Sequence, residues 1–367
     1  MYTIYVDNEL LYYPGTSLYE VVNPTLSLEV NSAGTLTLSV PSINPLYDSF
    51  AIQKSIVSVF QDGEEIFRGR VIEISMDWDN MKRIECEGEL AYLCDTIMRQ
   101  AEYHEASVAA LFRKYVEYHN GWIYADRRFE VGQCTVTSTE TSIFRYTNYQ
   151  STWTEMKEDF LDNYGGYFRV RYDGEHRYLD YLSTYDHEAS QKIEFGSNLL
   201  DYVSTKDGLE IFTRLIPLGA TLDEEDRTWR AVDGLEEYLT IRNVNSGDDW
   251  LDAPAAIKER FGVITRVMHW DDVHDASILK TKAQAVINSI DLDAVCIEVK
   301  AIDLHLADKL IESFRIGDMV TVKSVPHNLE ETMMITKINI AMDKPSESLI
   351  TIGKSPASLS EIVGKER

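Results

Sequence analysis

Histidine beside glutamate is the first place to look for chemistry in this 367-residue chain, and it occurs at His104-Glu105 and His187-Glu188. A zinc-peptidase helix of the HExxH type needs a second histidine four residues after the first, so that both imidazoles share one face. Those positions are Val108 and Gln191, so neither dipeptide builds that site. His269-Trp270-Asp271-Asp272-Val273-His274-Asp275 brings imidazole and carboxylate together, the donor types of a metal centre. The same stretch lies between a strand pattern and a helix start, where aspartate serves turns and caps. Gly353-Lys354-Ser355 has the ending of a phosphate-binding loop. The glycine that loop needs at its first position is Ser348, and the strand lies on the wrong side.

The four cysteines, Cys86, Cys94, Cys134 and Cys296, form no CxxC pair and read as reduced, buried thiols. None opens a helix after a glycine-rich turn, as a papain-like nucleophile does. Neither G-x-S-x-G nor G-x-G-x-x-G occurs. With 61 acidic residues, no carboxylate pair can be singled out for glycoside hydrolysis. The reading is therefore of a chain with no catalytic, cofactor-binding or metal-binding residue, and no cofactor. Phe67-Arg68-Gly69-Arg70 has two readings. One is a strand kinked at a glycine bulge with its arginines outward. In the other, Arg68 or Arg70 reaches an acidic surface of a neighbouring subunit.

The elements that would carry these residues are mostly strands. Turn residues at Asp62-Gly63 and Asp77-Trp78-Asp79-Asn80 bound β-branched runs and divide 55–88 into three strands. The plan recurs over 316–353, with turns at Pro326-His327-Asn328 and Asp343-Lys344-Pro345-Ser346. A hairpin joins Thr25–Val30 and Thr35–Val40, and a short helix over Glu89–Thr96 closes the first set. Helices are expected over Ala106–Tyr118, stopped by Asn120-Gly121, and over Ser151–Leu161, with Ser151 or Thr152 as cap and Glu155 available for a capping box. Strands Tyr167–Tyr172 and His176–Leu182 pair across Asp173-Gly174. Beyond a strand through Ile211–Gly219, residues 222–254 are acidic and turn-rich. Pro254 opens a helix to Phe261 and Asp275 caps one to about Ile290.

Composition sets the outer limits. Hydrophobic residues make up 44% and aromatics 11%, enough for packed cores and too much for disorder. The formal net charge is −26, which argues against high-affinity nucleic-acid binding. No window reaches the roughly 18 apolar residues of a membrane span, and the start has no signal-peptide pattern. The expectation is a soluble protein made in the cytoplasm.

Four blocks carry a resemblance to a known family. They are Gly34-Thr35-Leu36 through Pro45-Leu46-Tyr47 with Gly63–Arg70 and Cys86–Leu90; Phe160-Leu161 to Tyr167-Phe168; Phe195–Leu200 leading to Ile216–Ala220; and Phe314–Val320 to Ser324–His327 with Asp343–Ser346. In their order the chain resembles tail-associated, prophage-endopeptidase-type tail proteins of long-tailed phages of Gram-positive bacteria, similar in fold to baseplate hubs. The resemblance implies a homotrimeric ring at the virion tail tip, made in the bacterial host cytoplasm. It would adapt six-fold to three-fold symmetry between the tail tube with its distal tail protein and the tip or receptor-binding proteins. DNA would pass through the lumen without specific binding during genome ejection. A tail-tip peptidoglycan endopeptidase is the alternative, as is the same hub in a phage-derived bacteriocin or injection device.

The expected fold class is α+β, mainly β, with two related β-barrel-like hub modules. Residues 1–98 form the first module and 99–195 a mixed α/β peripheral domain. The second module takes 196–222 and 263–367, around an acidic insertion at 223–262.

Overall fold

The computed structural model describes residues 1–138, 143–185, 187–206, 211–228, 232, 234–271, 273–288 and 295–353. It divides into two compact units, one of 1–204 with 297–355, the other of 205–296 with 356–367. The acidic stretch 223–262 thus shares a unit with the residues on either side of it.

The first unit is built on one 13-stranded sheet. Its opening hairpin, Tyr2–Val6 with Glu9–Tyr12, turns at Asp7 and Asn8, both at positive φ as a tight two-residue turn requires. The same chemistry at Asp62 and Gly63 joins Ile56–Gln61 to the long strand Glu64–Met76. Lys82–Gly88 returns beside it. The second meander has the same plan: Met319–Ser324, the equally long Leu329–Ala341, and Leu349–Gly353.

Each meander is extended by two earlier strands into a set of five in the same order. In the first set Val22–Glu29 and Thr35–Val40 come next to Lys82–Gly88, then Glu64–Met76 and Ile56–Gln61. In the second, Leu199–Lys206 and Val295–Ala301 come next to Leu349–Gly353, then Leu329–Ala341 and Met319–Ser324. The sequence repeat at 55–88 and 316–353 marks three strands of each set.

The sets do not close into the expected barrels. Val22–Glu29 of the first pairs antiparallel with Leu329–Ala341 of the second, from Lys337 opposite Glu29 to Ala341 opposite Thr25. An edge that could have closed one set instead continues the sheet into the other. The result is mainly β, with helices, and open.

The mixed region packs on the same unit. Helix Val108–Trp122 begins where the Ser107 side chain accepts from the Ala110 amide. It runs two residues past Asn120, through the glycine that the sequence suggested as its stop. A three-stranded sheet lies beside it, with His176–Leu182 between Glu130–Cys134 and Tyr167–Asp173. Phe112, Phe160, Phe168 and Tyr181 form the centre of their core, with rings 4.6 to 6.2 Å apart. Ser151 caps the next helix as expected, and Glu155 accepts from the Asn148 amide.

In the second unit, Arg214–Leu218 lies between Leu251–Asp252 and Thr265–His269. Helix Ala276–Asn288 covers this small sheet through Leu279, Ala283 and Ile287, and Asp275 caps it by accepting from the Ser277 and Ile278 amides.

Candidate functional site

Several ion pairs meet where the first meander meets the mixed region. Arg70, expected to face outward, is buried and donates to Asp95 at 2.9 Å and to Glu87 at 2.7 Å. The reason is local. The seven-residue 3-10 helix Glu89–Asp95 lies against the face of Glu64–Met76 that the sequence left to solvent. Gly69 is not a bulge either, because it stands in register opposite Gly88, and the bulges fall on either side of it. A Cβ at Gly69 would come 2.2 Å from the Glu87 carbonyl oxygen, so close strand approach explains the glycine.

Glu89 is the second anchor. Its carboxylate accepts from Arg177 at 2.6 and 3.0 Å and from the Tyr172 hydroxyl, with Arg68 at 3.7 Å. Burial pushes the Glu89 carboxyl up, and Arg177 and Tyr172 oppose that shift. Arg177 also donates to the Asp126 and Arg128 carbonyls, tying His176–Leu182 to the loop after the long helix. Between the two anchors lies the Tyr92 ring, with Arg70, Arg127 and Arg177 at 5.2, 5.7 and 5.1 Å from its centre. Burial and the Glu89 charge push the Tyr92 hydroxyl up to about 12. Burial tends to raise the Asp95 carboxyl, but Arg70 and Arg127 outweigh it and hold the group below its usual range. Cations here are matched by carboxylates, carbonyls and ring faces. Such an arrangement fixes two parts of a protein together.

A second clasp joins the turn of the first meander to the segment leading into the second. Asp62 accepts from Lys309 at 2.5 Å and His305 at 2.8 Å, and Arg315 reaches Glu64 at 2.7 Å. Gln61 donates to the Ser313 hydroxyl, which binds Asp303. A cleft of about 200 Å³ opens above the first seam, lined by Glu65, Phe67, Arg68, Arg169, Tyr172 and Tyr185 among others.

The residues first considered for chemistry are engaged elsewhere. His104 pairs with Glu102 and packs on Phe144, while His187 lies 2.8 Å from Asp318 and 3.3 Å from Glu312. His269 donates through Nε2 to the Gly219 carbonyl and lies 3.2 Å from Asp271, Asp275 caps the following helix, and Asp272 lies outside the described residues. Among the described residues no group of three or more His, Cys, Asp or Glu side chains is placed to hold a metal. Cys86 is buried, with its thiol pushed up to about 12 by burial, and Cys134 is half-buried. Cys94 is exposed, against expectation, and the side chain of Cys296 lies outside the described residues. No local pattern marks Glu89 and Arg177, which meet across 88 residues of chain.

No curated protein matches the chain. Among solved structures, the 43 kDa tail protein of prophage MuSo2 from Shewanella oneidensis shares its fold at a TM-score of 0.62. That likeness has 12% identity and covers 97% of this chain and 98% of the other. A tail protein from Neisseria meningitidis gives a TM-score of 0.63 at 10% identity, covering 100% and 99%. Prophage tail protein gp18 from Listeria monocytogenes gives 0.56 at 14%, covering 94% and 91%. Residues 187–363 match the family described as prophage endopeptidase tail, and along its length the chain is similar in fold to these tail proteins.

Proposed function

We propose that the chain is the structural hub of a tail tip, a homotrimeric ring between the tail tube with its distal tail protein and the tip or receptor-binding proteins. The observation that carries this reading is the repeated five-stranded set. Three copies of a chain with two such sets present six similar β units, which can face a six-fold tube while the ring itself stays three-fold. The buried ionic seam around Arg70, Glu89 and Arg177 supports a scaffold whose parts keep fixed positions. DNA crosses the ring during ejection without being held. The same hub would serve a phage-derived bacteriocin or injection device.

The ring reading is tested by light scattering on purified protein and by electron microscopy of a reconstituted tip. The expected mass is three times the 42.0 kDa chain. A monomer at all concentrations, with no trimer in the reconstituted tip, overturns it. The proposal also takes the chain as non-enzymatic, so zymography on peptidoglycan should show no clearing, and a cleared band would favour a tail-tip endopeptidase.

A further inference from the structure

Residues 302–316, which lead into the second meander, are held down mainly by polar contacts, and Phe314 is the one side chain among them that is buried. Asp303 accepts from the Gln191 side chain at 2.7 Å, from the His305 amide at 3.0 Å and from the Ser313 hydroxyl. Arg315 reaches Glu64, and His187 meets Glu312 and Asp318 at the far end. A segment with so little apolar burial stays in place only while its charges and hydrogen bonds are intact.

His305 is the most demanding of these contacts. Its Nδ1 lies 2.6 Å from the Ile311 carbonyl oxygen and its Nε2 2.8 Å from Asp62 Oδ2. A carbonyl oxygen only accepts, and so does an ionised carboxylate. Burial tends to raise the Asp62 carboxyl, but Lys309, the Met1 amino group and His305 outweigh it and hold the group well below the carboxylate range. Asp62 therefore has no proton to give. Both imidazole nitrogens must donate, and only the imidazolium carries two N–H groups. In a neutral ring one nitrogen would turn its lone pair toward an oxygen within 2.8 Å, and at 15% exposure the side chain leaves little room for water between them.

We infer that His305 is a proton-dependent latch: doubly protonated it ties residues 302–316 to the Asp62-Gly63 turn, and loss of one proton releases them. The latch is closed in mild acid and opens as pH rises through neutrality, the range in which histidine changes charge. The other groups around the contact are Asp62, the Met1 amino group 2.9 Å from it and the Tyr2 hydroxyl on the meander side, with Asp303 and Lys309 on the segment. Burial tends to lower Lys309, but Asp62 outweighs it and raises the group, and burial raises Tyr2, so neither changes charge near neutrality. Burial lowers the Met1 amino group, which makes it the competing source of a pH effect at this turn.

Trypsin reads the latch on the purified full chain. Cleavage after Lys309, divided at each pH by its rate in a free peptide of the same sequence, should be at least about tenfold faster at about pH 8 than at about pH 6, the scale of one hydrogen bond to a charged group. In His305→Gln, whose amide does not titrate, the difference should disappear. His176→Gln, at an exposed histidine paired with Glu130, should keep it. Asp62→Asn, an exchange that the positive φ of this turn tolerates, should leave the segment open at both pH values. A nitrogen-15 spectrum of histidine-labelled protein, with His305 identified by the signals lost in His305→Gln, should show two ring N–H groups at about pH 6. A single N–H there, or a segment still closed at both pH values in Asp62→Asn, overturns the latch. A pH step that survives in His305→Gln also overturns it and assigns the step to His187 or the Met1 amino group.

Discussion

Val71 and Ile335 hold the same place in the two meanders. Val71 donates its amide to the Ser55 carbonyl at 3.0 Å and accepts from the Gln53 amide at 2.7 Å. Ile335 donates to the Asp318 carbonyl at 2.8 Å and accepts from the Gly317 amide at 2.9 Å. Both side chains are fully buried, and in both strands the register slips at the next step. An extra residue at that point turns the strand, so its first half serves one neighbour and its second half another. That shared bulge relates the two meanders more firmly than their low residue identity does.

Gly88 closes the first meander where the chain passes closest to the hairpin turn. A Cβ there would stand 1.8 Å from the Ala33 carbonyl oxygen, which is backbone and cannot swing aside. Gly88→Ala should therefore destabilise the protein by about 2 kcal/mol or more, the scale of overpacking that shifts backbone. Gly63→Ala, with open space around its Cβ, should cost only the strain of its positive φ. Urea midpoints of the two variants check the order.

Glu89→Gln leaves Arg177 buried beside a neutral amide. Removing one partner of a buried pair costs about 3 to 5 kcal/mol. The double change Glu89→Leu with Arg177→Met should cost less than the sum of the single changes, because no charge is left stranded. A thermal-melting cycle reads this coupling, and additivity within error would show the seam to be dispensable.

Asp180 makes stability depend on acid. Its fully buried carboxylate accepts from the Gln133 amide at 2.9 Å, from Arg169 at 2.8 Å and from Arg171 at 3.1 Å. Burial tends to raise this group, yet the Arg171 and Arg169 hydrogen bonds win and hold it below its ordinary value of 3.8. A depressed carboxyl stabilises the fold above its unfolded value, and that contribution drains away as pH falls through the folded value. Denaturation midpoints should be flat from neutral pH to about pH 5 and fall below about pH 4. Asp180→Asn should be less stable at pH 7 and show a shallower decline in acid.

What the sequence made legible follows from how local each signal was. The Asp62-Gly63 turn, the Ser151 cap and the Asp275 cap act within a few residues of themselves, and each stands where the pattern put it. The repeat was visible because turn chemistry recurs at the same spacing. Arg70 was misread because strand alternation assumes one solvent face, and the helix that removes that face begins 19 residues later, at Glu89. Barrel closure was equally out of reach, since the partner of Val22–Glu29 lies some 300 residues away, at Lys337–Ala341. Meetings such as Glu89 with Arg177 depend on the packing of whole elements and leave no pattern near either residue.

If the chain forms the proposed ring, its charge bears on what passes through it. Each phosphate held by lysine or arginine adds salt-sensitive affinity, which would slow a moving duplex. Screening limits any repulsion to roughly 8 Å at physiological salt, so carboxylates must lie close to the DNA path to act on it. With a formal net charge of −26, the chain can line a passage with acidic and neutral groups and reserve its basic residues for contacts. Many of its arginines are already engaged in this way, as at Arg70 with Asp95 and Arg177 with Glu89. The assembled protein should therefore show no binding to a labelled duplex by fluorescence anisotropy at about 50 mM salt, where non-specific binders with dissociation constants of roughly 100 μM or tighter are readily seen. Electrostatic mapping of the trimer should find the lumen acidic or neutral. A basic lumen, or duplex binding that weakens steeply with salt, would show that the charge serves solubility and leaves the passage adhesive.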